Sequence, residues 1–199
     1  MRLYTLAVAL LLALILAAHA VAPDAYTWTQ HTMSHLGAQG YEHANTMRFG
    51  LVSYGALVLV GAILKVARAV RTAWPHSFIG IYGFAILLTG LFSTSPFEPG
   101  ANFSVPEANL HSNFATLSGI GISTAMVAFA IVHRSRLPRI IDVVALVLTM
   151  LLSAAFFTFG DMAGAFQRLL WLVGFAWLVT LEIPFMQPES RQPQAHPSA

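Results

Sequence analysis

Six apolar runs take up most of the chain, at roughly 3–22, 48–67, 77–94, 112–132, 140–159 and 166–185. Each is long enough, or nearly so, to cross about 30 Å of hydrocarbon at about 1.5 Å per residue. The third is the shortest and is ended by Pro96. The chain is 57% hydrophobic and 9% charged, whereas soluble domains carry about 25% charged residues. Much of its surface must therefore face lipid. The expected fold is all-α, a six-helix transmembrane bundle formed by residues 1–186. Residues 187–199 are rich in Pro, Gln and Ser and read as a disordered tail.

The basic residues orient the bundle. Eight of the ten fall on one side of the membrane that the runs define: Arg2; Lys65, Arg68 and Arg71; Arg134, Arg136 and Arg139; and Arg191. The positive-inside rule puts that side, with both termini, in the cytoplasm. The same distribution in short loops excludes a nucleic-acid patch as the meaning of the basic balance. There is no cysteine, so disulfides, thiolate metal sites and Cys nucleophiles are excluded. The first run has a second reading. Arg2, the apolar stretch and Ala18-His19-Ala20 also resemble a signal peptide. Cleavage there would leave five spans and the Lys65 loop still cytoplasmic.

Chemistry can concentrate on the outer side. Loops 23–47 and 95–111 are long and hold four of the eight acids, and long ordered loops are more often functional than connecting. In the first, a short helix from about Asp24 to Gly37 would bring His31, Ser34 and His35 to one face, and two imidazoles at i, i+4 can grip one metal ion. In the second, Pro96, Pro99 and Gly100 force a turn with Glu98 at its tip, and His111 opens the fourth span. In the third outer turn Asp161 precedes Arg168, which either pairs with Asp161 or binds an anionic ligand in bidentate fashion. Convergence on one membrane face implies one extracytoplasmic pocket lined by Ser34, His35, Glu98, His111, Asp161 and Arg168. His111 paired there with Glu98 or Asp161 would have a raised pKa. Asp142 and Glu182 lie near the inner ends of the last two spans and read as interfacial partners. Ala115, Gly119 and Ser123, four residues apart, read as a close helix contact.

These residues resemble a family. His31-Thr32-Met33-Ser34-His35-Leu36-Gly37, Asn45 with Phe49, Gly90-Leu91-Phe92 followed by Pro96, Glu98 and His111, and Gly160, Gln167, Arg168 and Trp171 look like the motifs of the domain-of-unknown-function 998 group of prokaryotic six-span membrane proteins. The chain departs from that pattern at His35, where an acidic residue is common. The resemblance implies a six-helix fold in the prokaryotic cell membrane and no established activity, and it adds Asn45 to the expected pocket. A fainter resemblance runs to membrane-embedded zinc hydrolases of the alkaline ceramidase type. Ser34, Asp161, His111, His31 and His35 match their inventory, but the paired His on a late helix is missing.

Two functions from different classes are therefore expected. One is a small binding, carrier or accessory membrane protein, among membrane lipids, taking an anionic or lipid-like ligand. The other is a metal-dependent hydrolase acting on a lipid at the outer leaflet. Zinc held by His31, His35 and His111 would lower the pKa of bound water to about 7. A haem with two facing His ligands fits poorly, because the candidate His residues lie at one boundary. The orientation is tested with single cysteines at Gln39, Asn102 and Arg136 and an impermeant thiol reagent on intact cells. Positions 39 and 102 should label and 136 should not; the reverse pattern would invert the topology.

Overall fold

The structure is a computed structural model, and residues 2–68 and 73–184 are described. Arg71, Arg191 and the expected tail lie outside the described residues. Six α-helices are present among them: α1 Leu3–Ala20, α2 Ala44–Arg68, α3 Pro75–Leu91, α4 Val105–Val132, α5 Arg136–Thr158 and α6 Ala163–Thr180. No strand is found among the described residues. Five helical segments are long and apolar enough to cross a membrane, and α3 is a shorter apolar helix. At 17 residues it spans about 25 Å.

Each helix packs on its chain neighbour, and α1 also touches α6. The two ends of the bundle differ in chemistry. One end carries Arg2, Lys65, Arg68, Arg134, Arg136 and Arg139. The other carries the long connections 21–43 and 92–104 and the short turn before α6. α1 is built into the core: Tyr4, Ala7 and Leu11 are fully buried. Its first turn is capped from the segment just after α6, where Glu182 accepts from Tyr4 N at 3.1 Å and from Thr5 N at 3.0 Å. A carboxylate at a helix N-terminus satisfies orphan N–H groups and suits the dipole.

Successive interfaces are unequal. α2 and α3 touch backbone to backbone: a Cβ at Gly83 would lie 2.7 Å from Leu59 N and 2.9 Å from Gly55 O. In lipid, where burial of apolar area gives little driving force between helices, such close approach supplies the packing. On α4 the close contact is at Gly121, whose Cβ would meet Tyr82 N at 3.0 Å. Gly119 is the opposite case. A Cβ there meets nothing within 4 Å. Gly119 therefore makes no close helix contact, and Ala115, Gly119 and Ser123 all line the cavity described below, while α4 turns its Gly121 face to α3. α5 buries only Pro138, Asp142, Ala145 and Thr149, a narrow stripe, and its contact with α4 is the thinnest between successive helices.

Helix bounds correct the sequence reading in one place that matters. α4 begins at Val105 instead of 112, with Ser104 Oγ accepting from Glu107 N, and proline and Glu107 in the first turn. Ser-x-x-Glu with an early proline is a helix start. His111 thus lies almost two turns inside α4 and is buried.

A packing test follows. Gly55→Leu should lower the thermal midpoint in detergent, overpacking costing about 1–3 kcal/mol, whereas Gly119→Leu should leave it unchanged. Equal losses for both variants would contradict the open space at Gly119.

Candidate functional site

The connection from α1 to α2 is not a single helix. Thr32 is extended (φ −66°, ψ 158°) and separates His31 from a short 3-10 turn, Met33–Gly37. The expected helix from Asp24 fails because the preceding backbone is held by side chains. Tyr26 OH donates to the carbonyls of His31 and Thr32. Arg168 holds the same segment from α6. Its Nη1 donates to Trp28 O, His31 O and Gly164 O, and its Nη2 bonds Tyr26 OH and, at 2.9 Å, His19 Nε2. The helix itself adds Gly164 N to Gln30 O and Ala165 N to Thr29 O. Gly164 is required at this junction, since a Cβ there would collide with the Trp28 and His31 carbonyls. Met33 N donates to Gln167 Oε1 at 2.7 Å, fixing the 3-10 turn to α6 as well.

The second connection is laced to the first. Gln39 donates from Nε2 to Ser93 O and Ser104 O and accepts from Ser104 N. Glu107 accepts from Ser93 N. Arg48 binds the carbonyls of Gly90 and Leu91 at the end of α3. The turn at Pro96 brings Phe97 inward. Its ring stacks on His31 at 4.0 Å and meets Tyr41 at 5.4 Å and His35 at 5.9 Å. Glu98 instead neighbours Tyr41 and His31; with burial, its charge pushes the Tyr41 phenol up. Phe97 was not singled out from the sequence, although an aromatic residue held between two turn-forming prolines is the available signal.

Beneath these loops lies a cavity of about 710 Å³ lined by residues of α2, α3, α4, α5, α6 and the 3-10 turn. That volume is within the range of small-molecule sites. Apolar walls come from Met47, Ile86, Ile120, Met150, Phe157 and Trp171. Ser34, His35 and His111 line it together, with Thr32, Thr89 and Gln167. Four expected pocket residues, Asn45, Glu98, Asp161 and Arg168, are not on its wall, nor is His31. Asp161 is exposed on its turn and forms no ion pair with Arg168 among the described residues. Arg168 is spent on loop carbonyls, so neither reading of it, as the Asp161 partner or as the ligand's anion clamp, describes its bonding.

Hydrogen-bond partners define the imidazoles. His111 Nδ1 lies 2.9 Å from the carbonyl oxygens of both Thr89 and Phe92. Carbonyls only accept, so Nδ1 carries the proton and neutral His111 keeps its lone pair on Nε2. Among the described residues no acid forms an ion pair or hydrogen bond with it, contrary to the expected Glu98 or Asp161 partnership. His35 has the opposite form. Thr32 N–H donates to its Nδ1 at 3.2 Å, leaving the proton on Nε2. His31 accepts from Thr27 N in the same way. The zinc set His31, His35 and His111 therefore offers one free lone pair where a tetrahedral site needs three. No group of three or more His, Cys, Asp or Glu residues suited to a metal is found among the described residues. The donor set does not fit zinc.

The chain matches the family model described as "Protein of unknown function (DUF998)" over residues 5–183. It belongs to that family. No curated protein and no solved structure matches it. Family membership together with the apolar helices makes this a multi-pass membrane protein of the DUF998 family.

Burial pushes the His35 imidazole down to about 4, reinforced by the neighbouring His31 and His111. An unfolded imidazole takes a proton near pH 6.5, a folded His35 only near 4, so this residue's contribution is complete above about 6.5 and is lost as pH falls toward 4. The thermal midpoint of the wild type should fall over that interval, and His35→Asn should flatten the fall. An unchanged slope in the variant would remove His35 as its source.

Proposed function

We propose that this DUF998 protein binds a lipid-like amphiphile in the cavity between α4, α5 and α6, without transforming it. The observation that carries the reading is one cavity whose wall combines apolar side chains with hydroxyls and the imidazoles of His35 and His111. The thin α4–α5 interface puts the cavity next to the lipid-facing surface, where Leu151 and Phe157 are exposed. A lipid chain can then enter from the side without crossing the polar loops. The charge distribution supports placing the cavity end outside the cytoplasm, since the two cations at that end, Arg48 and Arg168, are both committed to backbone carbonyls.

The metal-hydrolase alternative has less support, since His31 and His35 each use Nδ1 to accept a backbone N–H, and about one equivalent of zinc in purified protein would favour it instead. The binding reading is tested by native mass spectrometry of protein extracted from its own membrane. Gly119→Trp places an indole where a Cβ meets nothing, so it should fill the cavity and abolish retained lipid while keeping the wild-type thermal midpoint. Equal lipid retention by the two proteins would sink the proposal.

A further inference from the structure

The chemistry of the cavity wall narrows its ligand. Its 29 lining residues include no Asp, Glu, Lys or Arg. Of the two arginines at this end, Arg168 has both terminal nitrogens occupied by Trp28, His31, Gly164, His19 and Tyr26, and Arg48 bonds the Gly90 and Leu91 carbonyls through Nε and Nη2; neither lines the cavity. An anionic headgroup would enter with no counter-charge, which is costly in a low-dielectric site. The two imidazoles differ in what they offer. His35 presents an Nε2–H donor because its Nδ1 already accepts from Thr32 N. His111 presents an Nε2 lone pair because its Nδ1 already donates to the Thr89 and Phe92 carbonyls. A hydroxyl group both donates and accepts, so it matches one nitrogen of each ring. A headgroup without an O–H would leave the His111 lone pair unsatisfied once water is displaced.

We propose that the cavity selects an uncharged lipid bearing a free hydroxyl, whose oxygen accepts a hydrogen bond from His35 Nε2–H and whose O–H donates one to His111 Nε2. This rests on the amphiphile-binding reading above. Ser34 and Thr32, joined by a 2.9 Å hydroxyl–hydroxyl bond, continue the neutral polar rim. The acyl chain lies along Ile120, Met150 and Phe157.

The test uses the full chain in detergent and three probes with one oleoyl chain: monoolein, which has free hydroxyls; methyl oleate, which has none; and lysophosphatidic acid, which is anionic. Monoolein should bind at least about tenfold more tightly than the other two, as expected for loss of a hydrogen bond with a buried partner left behind. Asn side chains can replace the Nδ1 bonds of either histidine but not its Nε2. His35→Asn and His111→Asn should therefore each weaken monoolein by about three- to tenfold and leave methyl oleate unchanged. Equal binding of the three probes, or tightest binding of lysophosphatidic acid, by the wild type would overturn the hydroxyl selection while leaving lipid binding standing. No binding of any probe would overturn the amphiphile reading itself. The probe ranking on the wild type decides the matter even if either variant fails to fold.

Discussion

Arg168 makes its bonds where a helix begins and a loop would otherwise lie unsupported. Three carbonyls, a phenol and an imidazole converge on its two terminal nitrogens. A planar guanidinium with five donors can meet such a set, and an ammonium cannot. The bonds tie the end of α1, through His19, and the 26–31 segment to the first turn of α6. They thereby locate Thr32, whose N–H orients His35. The position of the cavity's donor thus depends on a cation that never touches the cavity.

Packing divides the bundle in a related way. Gly55 and Gly83 let α2 and α3 close to backbone contact, and Gly121 does the same for α3 and α4. Together with α1 these helices form a tight unit around Tyr54, whose hydroxyl meets that of Tyr82 at 2.9 Å. α5 shares only a narrow stripe with the rest. Close packing on one side and a thin seam on the other leave the cavity between them. A cavity of this size in a uniformly packed bundle would cost stability; at a seam facing lipid, an acyl chain can fill it.

The opposite end of the bundle carries buried polar groups of another kind. Asp142 accepts from Trp177 Nε1 at 3.0 Å and pairs with His133 at 2.6 Å, joining α5, α6 and the end of α4. Tyr4 OH meets His76 Nδ1 at 3.1 Å, joining α1 to α3. Glu182 caps α1. There, each polar group is satisfied by a neighbouring helix. His35 and His111 differ in bonding backbone groups through Nδ1 and in lining the cavity. That contrast separates groups that hold helices together from groups available to a ligand.

Six apolar runs and the concentration of bases at one end of the bundle were legible in the sequence, because hydropathy and charge act on each segment separately. Ser34, His35 and His111 could be grouped from the sequence only by topology; that all three line one cavity is a feature of the assembled bundle. The earlier start of α4 has a local signal in Ser104, Pro106 and Glu107, which competes with the turn-forming Pro96, Pro99 and Gly100 just before it. The rest was a matter of direction, and direction is set by neighbours. Whether Arg168 faces a ligand or a carbonyl, whether Gly119 or Gly121 meets a helix, and which ring nitrogen of His35 or His111 holds the proton depend on contacts between residues up to about 140 positions apart. Only the assembled bundle supplies those contacts, because in a membrane interior without water every polar atom must take whatever partner the packing puts in reach.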